Sequence, residues 1–158
     1  MLITLGKRTE ETVRIYFEKT NRELFCKVLP QKAKTVEEAV EDYRKTLLPG
    51  TTSYGRIVLA DGRYVGDIWC YCIDPEDTPN AMVSYCIFEP ELWGKGIAAE
   101  ALKLFLEEIK EKFRLRSVGG FTYSENAASI RVMEKNGFLL VEEFEEDGVP
   151  SRYFELNL

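Results

Sequence analysis

Two short segments of the chain carry residue types whose spacing can do chemistry. The first is Phe88-Glu-Pro-Glu-Leu-Trp-Gly-Lys-Gly-Ile-Ala-Ala-Glu-Ala101. It reads as a strand end, a loop holding two glycines, and the start of a helix. Glycines there let backbone approach a ligand closely. The first-turn amides, which lack partners inside the helix, then face the ligand with the positive end of the helix dipole. Backbone alone can cradle a pyrophosphate in this way. A glycine-containing loop that simply enters a core helix fits the same residues. A dinucleotide fold fits poorly, although Gly94-Lys-Gly96-Ile-Ala-Ala99 satisfies GxGxxG/A. Glu89 to Trp93 separate the glycines from the strand end, and the last third of the chain turns antiparallel instead of repeating βαβ units.

The second segment is Asn126-Ala-Ala-Ser129-Ile-Arg-Val-Met-Glu-Lys-Asn-Gly-Phe138. Asn126 follows a strand and opens a helix, where its side-chain oxygen can cap and its amide can reach a ligand. Ser129 lies one turn further on. An ordinary capped amphipathic helix, with Ile130 and Met133 inward and Arg131, Glu134 and Lys135 in solvent, also accounts for these residues.

Composition restricts the chemistry these segments can perform. The chain has 158 residues and no histidine, with 21 Lys+Arg against 27 Asp+Glu for a formal charge of −6 at pH 7. Without histidine there is no Ser-His-Asp or Cys-His hydrolase and no HExxH metalloprotease. Proton transfer falls to carboxylate, Tyr, Ser, Cys, Lys, water or substrate. The acidic balance argues against an extended nucleic-acid face, which needs clustered cations. Four cysteines, Cys26, Cys70, Cys72 and Cys86, form no CxxC pair. All have apolar neighbours, as buried thiols do, and the alternation Cys70-Trp-Cys72 places both thiols on one strand face. No metal site is expected. Free thiols, a short N-terminal apolar run and no spanning segment suggest a cytoplasmic protein that does not engage membranes.

These segments must be positioned by an α/β (α+β) framework, read here as a single domain over residues 1–158. Leu2–Leu5 suggests a strand, and Thr9 caps a helix running to about Thr20. Thr35-Val-Glu-Glu38 is a capping-box pattern opening a helix with Val36, Ala39, Val40, Tyr43 and Leu47 inward, stopped by Pro49-Gly50. Tyr54–Ala60 and Arg63–Ile73 are strands joined by the hairpin signal Asp61-Gly62, followed by a strand over Ala81–Phe88. A long amphipathic helix spans Gly96–Phe113, with a strand at Ser117–Tyr123 and a helix at Ala127–Asn136. Phe138–Phe144 and Arg152–Leu156 close the chain around Glu146-Asp-Gly148. The expectation is one central mixed, mostly antiparallel sheet of about seven strands flanked by about four helices.

Taken together, Trp93-Gly-Lys-Gly-Ile-Ala-Ala-Glu-Ala101 and Asn126 to Phe138 resemble the GNAT superfamily of N-acetyltransferases. Within it the match is to the group that includes the RimJ/RimL ribosomal-protein N-terminal acetyltransferases. Element order extends the resemblance over nearly the whole chain, and Gly62-Arg-Tyr-Val-Gly-Asp67 looks like the family's central hairpin. The family's cofactor motif, Gln/Arg-x-x-Gly-x-Gly/Ala, falls on Trp93 to Ala98, with Trp93 in place of Gln/Arg. The resemblance implies that amides of Gly94, Lys95, Gly96, Ile97, Ala98 and Ala99 hold the coenzyme A pyrophosphate. Cys86, Ile87 and Phe88 would pair with pantetheine as an added half-strand. Asn126 would contact the pantetheine arm beside Ser129, and Lys95 and Arg131 would add charge near the phosphates.

The implied reaction is direct transfer of acetyl from acetyl-CoA to a primary amine. A backbone amide at Ile87 or Phe88 would stabilise the charge on the carbonyl oxygen. Many relatives protonate the leaving thiolate with a tyrosine, but Met133 stands at that place. Ser129 is the substitute acid, and Ser129 and Asn126 are the catalytic candidates. Tyr85, Tyr123, Glu125 and Asp67 are the polar groups nearest the expected cleft, unranked as bases; Tyr71 and Trp69 are candidates to line the acceptor pocket. The acceptor is open among a protein N-terminus, an amino acid, a polyamine and an antibiotic, and the acidic surplus favours a cationic one. The protein would act as a monomer or homodimer. A non-catalytic acyl-CoA-binding sensor or interaction module of the same fold is the alternative.

Overall fold

The computed structural model describes residues 1–26 and 33–158. The chain runs β1 (Ile3–Lys7), α1 (Glu10–Thr20), α2 (Glu23–Cys26), α3 (Val36–Lys45), β2 (Tyr54–Ala60), β3 (Arg63–Asp74) and β4 (Asn80–Ile87). A 3-10 turn (Pro90–Leu92) leads into α4 (Ile97–Phe113), β5 (Ser117–Tyr123), α5 (Ala127–Lys135), β6 (Leu139–Glu146) and β7 (Val149–Asn157). The seven strands form one sheet in the order β1-β2-β3-β4-β5-β7-β6, antiparallel except where β4 meets β5. This is the mixed, mostly antiparallel architecture expected from the sequence, with the short α2 as an additional helix.

Local chemistry accounts for most element ends. Thr9 Oγ1 accepts from the Thr12 amide at 3.1 Å while Thr12 Oγ1 accepts from the Thr9 amide at 2.9 Å, a reciprocal cap made by two threonines. The box expected at Thr35 forms only in half. Thr35 Oγ1 accepts from the Glu38 amide at 3.1 Å, but the longer Glu38 carboxylate reaches past it to the Lys34 amide at 2.9 Å. Because α3 ends at Lys45, Leu47 lies beyond it and is exposed rather than inward. Asp61-Gly62 and Asp147-Gly148 both show positive φ at both positions (49° and 83°, 50° and 79°), as tight two-residue hairpin turns require.

One strand departs from simple alternation. Pairing of β3 with β4 slips between Tyr71 and Asp74, and Cys72 has φ of 51°. The expected common face of Cys70 and Cys72 is therefore lost: Cys70 is buried and Cys72 exposed. Cys86 is also buried, whereas the Cys26 side chain lies outside the described set.

The main core lies between the sheet and α4. Ala101, Leu102, Phe105, Leu106 and Ile109 meet Val58, Val65, Ile68, Val83 and Val118. At about 25 cal/mol per Å² of apolar area, this burial is what anchors α4 rigidly against the strands. A smaller cluster of Phe25, Cys86 and Phe88, packed by Ile15, Tyr16 and Tyr64, holds α1 and α2 near the opposite end of β4. Among the described residues no helix is long and apolar enough to cross a membrane.

Candidate active site

The site begins where the sheet opens. The parallel pairing of β4 with β5 covers only Asn80–Met82 against Ser117–Gly119, and the two strands separate beyond it. Phe88 donates its amide to Val65 O at 2.9 Å, and alternation along β4 then points the main-chain groups of Cys86 at Asp67 on β3, against the expected pairing of Cys86 with pantetheine, and turns those of Tyr85 and Ile87 away from β3, into the gap. This settles one expectation against the sequence reading. The Phe88 amide is bonded within the sheet and does not serve as an oxyanion donor, so the Ile87 amide is the one that faces the opening. Phe88 itself is buried in the smaller cluster and does not line the cleft.

The Ile87 carbonyl has a partner of its own. Trp93 donates its indole N–H to it at 2.8 Å, and the indole ring meets Phe25 edge-on at 6.0 Å. The tryptophan thus ties the loop before α4 to the free edge of β4. Only the Ile87 amide, of this residue's two main-chain groups, is left for a half-strand partner.

Gly94 and Gly96 adopt φ of 77° and 81°, a region that side chains rarely enter, and Gly96 caps α4 without any side-chain hydrogen bond. A Cβ built on either glycine meets nothing within 4 Å, so the space before the helix is open rather than filled by protein. The Ile97, Ala98 and Ala99 amides occupy the first turn and face this space. Lys95 is exposed and does not line the cleft, whereas Arg131 does. Lys135, one turn beyond Arg131 on α5, lines it as well. Sequence reasoning passed over Lys135, although its i,i+4 spacing from Arg131 was the available signal.

Helix α5 supplies the opposite wall. Asn126 Oδ1 accepts from the Ser129 amide at 3.1 Å, which fixes the helix start and leaves the Asn126 amide group uninvolved in the cap. Ser129 Oγ lies 3.0 Å from the hydroxyl of Tyr85. Burial pushes the Tyr85 phenol up to about 12, with the Ser129 hydrogen bond pulling the other way. Met133 is fully buried on the same helix, and its Sδ would stand 2.9 Å from a Cβ at Gly120, so the glycine admits the thioether.

The lining also includes Phe25, Tyr71, Phe121, Tyr123 and Glu146. Of the polar groups expected near the cleft, Tyr85 and Tyr123 line it, while Glu125 is exposed and outside it. Asp67 is 1% exposed and is held by Arg8, at 3.0 Å from Nη2, and by the Tyr64 hydroxyl. Trp69 packs edge-on against Tyr16 at 6.1 Å with the Arg8 guanidinium over its ring, and does not line the cleft. Glu146 is the carboxylate among the described lining residues; the sequence places it only in a turn, and the β6–β7 hairpin brings it, still exposed, to the rim of the cleft. Cys86 lines the cleft, but burial pushes its thiol up to about 12, which keeps it protonated and a poor nucleophile at neutral pH.

A family model described as an acetyltransferase (GNAT) domain matches residues 4–139. The chain belongs to the GNAT acetyltransferase family. Solved structures with the same fold include the aminoglycoside acetyltransferase AAC(6')-Ib in complex with coenzyme A (TM-score 0.82, 18% identity, covering 99% of this chain and 95% of that one). RimL, a ribosomal alpha-N-protein acetyltransferase in complex with coenzyme A, superposes at TM-score 0.84 with 18% identity over 99% of this chain and 94% of its own. A chimera of the spermidine N-acetyltransferase SpeG from Vibrio cholerae and hSSAT gives 0.84 and 17% over 99% and 96%. At these identities the likeness is one of fold. No curated protein matches this GNAT chain by sequence.

Proposed function

We propose that this GNAT protein transfers an acetyl group from acetyl-CoA to a primary amine by direct attack of the amine on the thioester. The observation that carries this reading is the convergence, in one cleft, of the unpaired β4 edge, the uncapped glycine-led start of α4 and the hydroxyl of Ser129. The donor set fits the cofactor. A polyanion suits the helix start with Arg131 and Lys135 beside it, and an extended amide-bearing arm suits a strand edge.

Acetyl-CoA supplies an activated acyl group and a good leaving thiol. The chain's residues do the rest. The amides of Gly94 to Ala99 hold the pyrophosphate, Trp93 braces the loop, and the edge of β4 at Tyr85 and Ile87 orders the pantetheine arm with Asn126. The Ile87 amide donates to the carbonyl oxygen as negative charge develops there. Ser129 gives its proton to the departing sulfur. Glu146 faces the acceptor half and is placed to receive the proton the amine must lose. Holding amine and thioester together supplies much of the rate, since the acyl group is already activated.

A protein N-terminus or a small amine is the proposed acceptor, a cationic one being favoured by Glu146 and the net charge. The RimJ/RimL-type grouping, a single catalytic domain over the whole chain and a cytoplasmic setting form part of the same proposal.

The test is acetyl transfer from acetyl-CoA across a panel of peptides, polyamines, amino acids and aminoglycosides, read by mass spectrometry rather than thiol release because the exposed Cys72 thiol would add to a thiol signal. Transfer to a panel member supports the reading. Stabilisation by acetyl-CoA with no transfer to any member overturns it in favour of a non-catalytic acyl-CoA sensor, for which the replacement of the family's tyrosine by Met133 is the specific argument.

A further inference from the structure

The β4 face toward α4 and α5 is built from Ala81, Val83, Tyr85 and Ile87, three apolar side chains and one phenol. A phenol packed there needs a hydrogen-bond partner, and Tyr85 has two on a single residue: Ser129 Oγ at 3.0 Å and the Ser129 carbonyl oxygen at 3.1 Å. Tyr85 has one proton to give. If it goes to the carbonyl, the serine must turn its own proton back toward the phenol to keep the contact. If it goes to Oγ, the serine proton is released toward the cleft, which both residues line. Without the phenol, a serine near a helix start returns its proton to a carbonyl one turn back. Among the described residues, the Ser129 carbonyl is the one competing acceptor for the phenol's proton.

Resting on the acetyltransferase reading, we propose that Tyr85 is the positioning residue for Ser129: it donates to Ser129 Oγ, turns the serine proton toward the coenzyme A sulfur and replaces that proton as the thiol leaves. The carbon–sulfur bond breaks with its electron pair going to sulfur. The Ser129 O–H bond breaks as the S–H bond forms, and the Tyr85 O–H bond breaks as a new Ser129 O–H forms. The phenolate left on Tyr85 takes its proton back from water. The negative charge rests in passing on a phenolate instead of a serine alkoxide, the more basic of the two. Burial keeps the phenol protonated through the neutral range, so the donor is loaded there.

The experiment compares Tyr85→Phe, Ser129→Ala, Ser129→Thr and the double variant Tyr85→Phe/Ser129→Ala in the full chain, using an acceptor the unaltered protein acetylates. Tyr85→Phe should lower kcat about 10- to 100-fold with the KM for acetyl-CoA within twofold, within the span of a lost proton donor. Ser129→Ala should match it, the double variant should be no slower than the slower single, and Ser129→Thr should recover part of the rate. Unchanged kcat in Tyr85→Phe, or effects that multiply in the double variant, overturn the inference and leave the acetyltransferase reading intact. Absence of transfer by the unaltered protein overturns both.

A readout independent of turnover is the Cζ resonance of ring-labelled Tyr85, assigned by its loss in Tyr85→Phe. Binding of coenzyme A should shift it in the unaltered protein and not in Ser129→Ala. An equal shift in both means that Tyr85 senses the ligand without the serine, which also overturns the inference.

Discussion

Tyr85 and Tyr64 invite comparison, because each holds its hydroxyl against a polar partner beneath packed side chains, and burial raises both phenols, Tyr64 the more strongly. The difference is what stands behind the partner. Tyr64 meets Asp67, which is itself bound by Arg8, and Trp69 lies under the guanidinium; none of Tyr64, Asp67, Arg8 and Trp69 lines the cleft. Tyr85 meets Ser129, whose other side is the cleft. A perturbed side chain therefore marks burial in both places and contact with the cleft in only one. Access to the reacting atoms decides, and the sealed cluster works as a polar rivet between β1, β3 and the start of α1.

Breaking the rivet should give the largest effect. Asp67→Ala leaves the half-buried Arg8 without its counter-charge and Tyr64 with only the Thr12 carbonyl as acceptor, and is expected to cost about 3 kcal/mol of stability in urea unfolding, the low end for breaking a buried pair because Arg8 keeps some solvent. Coenzyme A affinity of the folded fraction should stay within twofold; a large loss of affinity without loss of stability would place the cluster in the site. Gly96→Trp attacks the cleft instead. It should weaken coenzyme A binding by at least about a hundredfold, or roughly 2.7 kcal/mol, in calorimetry. Undiminished binding would move the pyrophosphate away from the start of α4.

Trp93→Phe keeps the ring but removes the donor to the Ile87 carbonyl. With about 1 kcal/mol for one hydrogen bond, a roughly fivefold rise in the coenzyme A Kd is expected, read by the same titration.

The pH dependence sharpens the comparison most finely. Tyr85 is raised from 10.0 to about 12, so its proton is in place below the folded value and kcat should show no alkaline fall with a midpoint near pH 10. Such a fall, at saturating substrates, would mean an unshifted donor. By linkage the same shift contributes stability that is full below pH 10.0 and lost as pH rises toward 12. Cysteine labelling should change least. In a Cys26→Ser background at pH 8, exposed Cys72 should react first, while Cys70 and Cys86, both raised to about 12 by burial, should react only on unfolding.

Much of this was legible in the residues alone because it is local. Gly94 and Gly96 announce positive φ at the mouth of a helix, Asn126 announces its cap, and Asp61-Gly62 and Asp147-Gly148 announce their turns, each through chemistry within a few residues. The inward stripe of α4 was equally readable from its period. Sequence spacing misled where a strand bulged, at Cys72, and where a side chain had more than one reach, at Glu38.

Tertiary structure alone decided which of these groups meet. The separation of β4 from β5 beyond Met82, the binding of the Phe88 amide to Val65 and the arrival of Glu146 at the cleft rim from the last hairpin all follow from sheet register. So does the approach of Tyr85 to Ser129, 44 residues later in the chain. The physical reason is range. Capping and turn preferences act through neighbouring atoms, whereas a phenol on one strand finds a serine on a distant helix only after the core beneath them has packed.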